Sequence, residues 1–201
     1  MKILIASNNQ HKVTEFKKIL DELQSLELVT PHDLNINIVP NENGTTFEEN
    51  SKIKCLEFYQ VCKLPIISDD SGLEVDILNK MPGIHSARYA GLSASDKENR
   101  EFLIEQLRGL ESDIYTARFR CVITFYDGVI LKHFEGSVEG SIIKEERGEN
   151  GFGYDAIFVP NEFNITFAEM SSEVKNNISH RAIALNKFST FLKEYCQDGR
   201  K

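Results

Sequence analysis

Tryptophan is absent from the sequence, proline occurs five times in 201 residues, and the four cysteines are scattered. Cys55, Cys62, Cys121 and Cys196 include no Cys-x-x-Cys pair, so neither a zinc site nor a disulfide framework is indicated. Reduced, buried thiols in a cytoplasmic protein are expected. No apolar run approaches the ~18 residues needed to cross a bilayer, which sets membranes aside as partners. Met1-Lys2 leads through a short strand-like run into polar Ser7-Asn8-Asn9, which argues against a secretory leader. A surplus of positive charge is lacking too: 23 Lys and Arg face 31 Asp and Glu, for a net charge of −8. Such a surface repels a polyanion at long range, which sets duplex nucleic acid aside. Any phosphate ligand must be met by a local basic pocket. The glycine spacing and Gly-Lys-Ser/Thr ending of a P-loop are also missing. What remains, 41% hydrophobic and 27% charged residues, suits a soluble globular core, and residues 1–201 are read as a single domain.

The chain reads best around Pro65-Ile66-Ile67-Ser68-Asp69-Asp70-Ser71-Gly72-Leu73-Glu74-Val75. Residues 64–67 make a short buried strand. Asp-Asp-Ser-Gly then reads as a turn, since Asp and Ser bond their own backbone and Gly accepts positive φ. Two like charges beside a buried strand are costly unless paired, protonated or bound to a cation. Mg²⁺ meets that need with one or two carboxylates, leaving its other positions to water and phosphate oxygens. An ordinary acidic turn fits the same spacing.

Residues 2–6 read as a buried strand, broken at Ser7-Asn8-Asn9-Gln10-His11-Lys12. A helix follows, with Val13, Phe16, Ile19, Leu20 and Leu23 on one face. Strand, polar turn and helix together aim backbone N–H groups and a helix N-terminus at an anion; a plain N-capped helix fits equally. Lys12 in the first turn opposes the helix dipole, as do His180 and Arg181 at the start of the last helix. Two such placements in an acidic protein point to a bound polyanion. Residues 28–39 carry a weak strand pattern. Thr46 and Glu49 form a capping-box sequence opening a helix that runs to about Cys62. Glu42, in the loop before it, has no such structural role and suits a metal. Ser95 and Glu98 repeat the box, and their helix stops at Gly109. Residues 115–126 alternate strictly, with one wet face for much of their length, and Asp127-Gly128 is a strong hairpin signal. Strands over 129–134 and 136–143 complete a mixed sheet. Gly148-Glu149-Asn150-Gly151-Phe152-Gly153-Tyr154-Asp155 suits a planar ring, or equally a β-turn with packed aromatics. The last helix carries Ala182, Leu185, Phe188 and Leu192 inward, and the tail over 197–201 is expected to fray.

Six patterns follow one another in order: Ser7-x-Asn9-x-x-Lys12, Glu42-x-Gly44-x-Thr46-Phe47-x-Glu49-Asn50, Ser68-Asp69-Asp70-Ser71-Gly72-Leu73, Pro82-Gly83-x-x-Ser86-Ala87-Arg88-Tyr89, Gly151-Phe152-Gly153-Tyr154-Asp155 and Ile178-Ser179-His180-Arg181. Together they resemble the inosine/xanthosine triphosphate pyrophosphatase family, which clears deaminated purine nucleotides, over residues 2–193. The resemblance implies an α/β fold: an elongated mixed β-sheet flanked by helices, in two lobes with a central substrate cleft, usually a homodimer.

By position the resemblance also implies that Ser7, Asn8, Asn9, Gln10, His11 and Lys12 hold the triphosphate. Asp70 binds Mg²⁺ and acts as, or positions, the base for the attacking water. Glu42 is a second metal carboxylate, and Ser71 touches substrate. Phe152, Gly153, Tyr154 and Asp155 embrace the base. Lys175, His180 and Arg181 complete the site, the last two reading the 6-oxo group. Asn8 departs from the pattern, where many members carry glycine. The implied reaction is Mg²⁺-dependent hydrolysis of ITP, dITP and XTP to the monophosphate and pyrophosphate. A pyrophosphatase for pyrimidine or modified nucleotides and a non-catalytic nucleotide sensor are the alternatives. The sensor leaves the Asp69-Asp70 pair without a purpose.

Overall fold

The computed structural model describes residues 1–23 and 26–197; the tail expected to fray lies outside the described residues from position 198 onward. Seven strands form one sheet: β1 (Lys2–Ile5), β2 (Glu27–Val29), β3 (Ile66–Val75), β4 (Met81–Pro82), β5 (Ile114–Tyr126), β6 (Leu131–Ile143) and β7 (Phe158–Pro160). The helices are α1 (Gln10–Leu20), α2 (Phe47–Cys62), α3 (Asp96–Leu107), α4 (Ser172–Ile178) and α5 (His180–Gln197). Strand order is β2-β1-β3-β5-β6-β7, with β4 paired to β3. β1 is parallel to both β2 and β3, whereas β3–β4 and β6–β7 are antiparallel. The mixed sheet expected from the hairpin signal is therefore present.

The chain divides into two compact units: Met1–Asp70, Cys121–Gly136 and Arg181–Lys201 form the first, and Ser71–Arg120 with Ser137–His180 the second. In the first unit, β1 alternates its side chains between two hydrophobic clusters. Ile3 and Ile5 pack with Val13, Phe16 and Leu20 of α1 and Leu185, Phe188 and Leu192 of α5. Leu4 and Ala6 pack with Cys55 and Phe58 of α2. The two-residue period of a strand puts these sets on opposite faces, so α1 and α5 cover one face and α2 the other. In the second unit, Leu73 and Val75 of β3 join Leu103 and Leu107 of α3, Tyr115, Ala117 and Phe119 of β5, and Phe158 and Phe167.

Several expectations need correction. Asp69-Asp70-Ser71-Gly72 is not a turn; it lies inside the unbroken strand β3. Of residues 28–39, only the start is strand, because β2 ends at Val29. Ile36 and Ile38 still pack against the α2-side cluster without regular structure. The two strands read after the hairpin are one, β6. The alternating face of β5 is wet only to Arg120, since Val122 and Thr124 are buried. The hairpin itself is as expected: Asp127 Oδ1 accepts the Val129 and Ile130 N–H groups at 2.8 and 2.7 Å. At α2, Thr46 Oγ1 accepts the Glu49 N–H at 3.1 Å. The Glu49 carboxylate instead takes the Thr45 N–H at 2.6 Å, one residue short of a closed box. The Ser95–Glu98 box closes in both directions.

Candidate active site

The alternation of β3 explains how two adjacent aspartates are tolerated in a buried strand. Ile66 belongs to the cluster under α2 and Ile67 to the cluster under α1 and α5. Continuing that period, Ser68 and Asp70 face α2, and Asp69 faces α1 and α5. The partners agree. Ser68 Oγ donates to the Ser51 carbonyl of α2 at 2.6 Å. Asp69 Oδ2 lies 2.9 Å from Lys12 Nζ of α1 and 3.1 Å from Arg181 Nη2 of α5. Asp70 meets Lys54 and Asn50 of α2. Each carboxylate thus has its nearest cation on its own side of the sheet.

Their electrostatics differ accordingly. Burial by itself would raise the Asp69 carboxyl, but Lys12 and Arg181 outweigh it and hold the group far below the usual carboxylate range. For Asp70 burial prevails over Lys54 and Lys12, and the carboxyl is raised. Asp70 is therefore the more basic of the pair and the better proton acceptor. Lys54 Nζ sits between two acids, 2.9 Å from Glu42 Oε2 and 3.5 Å from Asp70 Oδ1. Burial lowers its affinity for a proton, yet Asp70, Asp69 and Glu42 together raise it.

The phosphate-loop residues start from the end of β1. Asn9 caps α1: its Oδ1 accepts the His11 and Lys12 N–H groups at 3.0 and 3.2 Å, and the Asn9 N–H donates to Ser7 Oγ at 3.2 Å. Asn8, Gln10 and His11 are exposed. Both helix-end cations meet protein carboxylates. Lys12 binds Asp69, and Arg181, 2% exposed, pairs with Asp69 and closely with Glu15 of α1. The charge of these cations is thus met by protein carboxylates without a bound polyanion.

In the second unit, Gly151-Phe152-Gly153-Tyr154-Asp155 closes on itself. Asp155 Oδ2 accepts the Phe152 N–H at 2.8 Å and lies 2.7 Å from Lys175 Nζ of α4. A Cβ at Gly151, where φ is +77°, would collide with that carboxylate, so glycine is required. Lys175 Nζ stands 4.9 Å from the Phe152 ring centroid. His180 stacks on Phe119 at 4.7 Å. Gly153 is held from both ends, its N–H by Asp96 and its carbonyl by Arg100, at 2.7 Å each. Tyr154 is buried, and its hydroxyl donates to the Ser86 carbonyl at 2.9 Å, so it anchors the loop. Phe152 is the half-exposed aromatic of the pair. Ser71, next after Asp70 on β3, is half-buried.

The sequence profile of the Ham1 family matches residues 3–191. The chain belongs to the Ham1 family. It is 43% identical over 202 residues to a Clostridium tetani protein named dITP/XTP pyrophosphatase, covering 98% of each chain. Its fold is similar to that of the Staphylococcus aureus Ham1 protein, with a TM-score of 0.86, 40% identity and 96% of this chain matched to 99% of that one. A Ham1 protein from Coxiella burnetii gives a TM-score of 0.88 at 36% identity, with the same coverage of both chains. The resemblance drawn from the six motifs is borne out.

Among the described residues of this Ham1 chain, no group of three or more His, Cys, Asp or Glu side chains is arranged around a metal position. Glu42 and Asp70 nevertheless fit Mg²⁺. Both are oxygen donors, which this hard ion takes in ones or twos. A cationic atom, Lys54 Nζ, already stands between them.

Sequence reasoning gave no role to two members of this constellation: Glu15, and Asn50, which it met only as the last residue of the second motif. Asn50 was legible in principle. The buried stripe of α2 runs Phe47, Asn50, Ser51, Lys54, Cys55, Phe58, and three polar residues on a core-facing stripe signal buried partners. Nothing local marks Glu15, whose partner Arg181 lies 166 positions away.

Proposed function

We propose that this Ham1 chain hydrolyses ITP, dITP and XTP to the nucleoside monophosphate and pyrophosphate, with residues 1–201 acting as one catalytic domain. The single observation that carries the reading is the pair Asp70 and Glu42, set around Lys54 in a chain that matches dITP/XTP pyrophosphatases along its whole length. Asp70, raised by burial, orients the attacking water and takes its proton as the water approaches the α-phosphorus. Ser7, Asn8, Asn9, Gln10, His11 and Lys12 hold the triphosphate, aided by Lys54, and Ser71 touches substrate beside Asp70. Mg²⁺, held by Asp70 and Glu42, supplies charge neutralisation at the phosphate oxygens when bound. Asp69, by contrast, fixes Lys12 and Arg181.

Phe152, Gly153, Tyr154 and Asp155 hold the base, with Phe152 as the ring it lies on and Tyr154 as the anchor beneath. Lys175, His180 and Arg181 complete the site, the last two offering donors to a 6-oxo group. Donors aimed at an oxo group are left unpaired against the 6-amino group of adenine, which is a strong basis for rejection. The four thiols are free, which suits the cytoplasm, and a homodimer follows from the family resemblance. The test is pyrophosphate release from ITP, dITP, XTP, ATP and dUTP under one set of conditions. Turnover of the three deaminated purine nucleotides with ATP and dUTP nearly inert is expected. Equal turnover of ATP would remove the selectivity, and preference for dUTP would move the chain to the pyrimidine reading.

A further inference from the structure

Asn50 is fully buried on α2 and makes two bonds in opposite directions. Its Oδ1 accepts the Gly44 N–H at 2.9 Å, and its Nδ2 donates to Asp70 Oδ2 at 3.2 Å. Gly44 belongs to the loop that carries Glu42, two residues away. The approach is close: a Cβ at Gly44 would lie 2.8 Å from Asn50 Oδ1 and 2.7 Å from the Glu49 Cβ. One amide therefore ties the loop bearing one carboxylate to the other carboxylate, 20 positions along the chain. The second oxygen of Asp70 is engaged by Lys54, so the amide bond fixes which oxygen faces the cation.

We propose that Asn50 is a positioning residue. It sets the orientation of Asp70 and the position of the Glu42 loop together, so that both carboxylates are presented to one divalent cation. The inference rests on the reading of Asp70 and Glu42 as metal carboxylates. Hydrogen-bond partners that orient metal ligands typically change metal affinity ~10–100-fold when removed. The effect should appear as a loss of metal affinity that added metal repairs, which a purely structural loss would not do.

The experiment is Mn²⁺ binding to the intact protein without nucleotide, followed by electron paramagnetic resonance of the free ion. Wild type, Asn50→Ala and Gly44→Ala are compared, with circular dichroism confirming that each is folded. Gly44→Ala leaves Asn50 and Asp70 chemically intact and displaces the loop, so it keeps the test open if Asn50→Ala fails to fold. We expect the Mn²⁺ dissociation constant to rise at least ~10-fold in both variants. In parallel, ITP turnover should fall at limiting Mg²⁺ and recover at high Mg²⁺, with the KM for ITP little changed. Unchanged Mn²⁺ affinity in the folded variants, or a turnover defect that excess Mg²⁺ does not repair, overturns the proposal. A wild-type protein that binds Mn²⁺ but releases no pyrophosphate from ITP defeats the functional reading while leaving Asn50 to be judged on binding.

Discussion

Replacing Arg181 by methionine should be among the most destabilising single changes in this chain. The guanidinium is 2% exposed and pairs with two acids, Asp69 at 3.1 Å and Glu15 more closely still. At 3.1 Å and an effective dielectric of about 20, one such pair attracts by roughly 5 kcal/mol. Desolvation of the three charges offsets much of this, so the pairs add little net stability compared with an apolar core. Removing the cation alone is different, because both acids stay behind. Asp69 keeps Lys12 at 2.9 Å, whereas Glu15 loses the guanidinium that faced it. Breaking a buried pair on one side costs about 3–5 kcal/mol, a large part of the ~5–15 kcal/mol that holds a domain together. Arg181→Met preserves most of the stem volume, so packing loss contributes little. With no tryptophan to report unfolding, the assay is urea denaturation by far-ultraviolet circular dichroism. We expect the midpoint to fall by an amount worth about 3–5 kcal/mol at unchanged m-value. Arg181→Met combined with Glu15→Gln should cost about 1–3 kcal/mol less than the sum of the single changes, since the two side chains meet directly. A loss below about 1 kcal/mol, or strict additivity, would refute the reasoning.

Further predictions concern the thiols and the hairpin. Burial pushes the Cys55 and Cys121 thiols up to about 12, so at neutral pH a water-soluble disulfide reagent should titrate only Cys62 and Cys196 until urea is added; four fast thiols in the native protein would contradict this. At the β5–β6 turn, burial opposes ionisation of Asp127, but the Tyr195 hydroxyl at 2.7 Å and two backbone N–H groups prevail and lower the carboxyl. A lowered native value means the stability it contributes is present above the unfolded value near 3.8 and lost as pH falls through the native one. Asp127→Asn should therefore cost about 1 kcal/mol in urea melts at pH 7, with the gap narrowing in acid; a gap that widens in acid would reverse the assignment.

Helix bounds and stripes were the most legible part of the fold, because they depend on neighbours three and four positions apart. The stripe of α5 and the closed Ser95–Glu98 box are local facts, and the structure keeps them. The Asp-Asp-Ser-Gly segment was misread for the opposite reason. Its local preference is a turn, but Lys12, Arg181 and Lys54 neutralise its charges from α1, α5 and α2. The backbone can then continue as strand β3 through to Val75. Arg181 and Asp69 are 112 positions apart, beyond any local pattern. Sequence distance also hides the partners of the helix-end cations: no local pattern shows that Asp69 faces both Lys12 and Arg181. The loop pattern groups Tyr154 with Phe152; only burial separates the anchor from the half-exposed ring.

The role of Asp70 is the central claim, and one comparison tests it most directly. Pyrophosphate release from ITP would be followed for wild type and Asp70→Asn, with Mg²⁺ and with EDTA, after circular dichroism shows both to be folded. Wild type should release pyrophosphate only with the metal, and the variant should lose at least ~100-fold in turnover. Metal-dependent release by Asp70→Asn at a rate close to wild type would contradict the account.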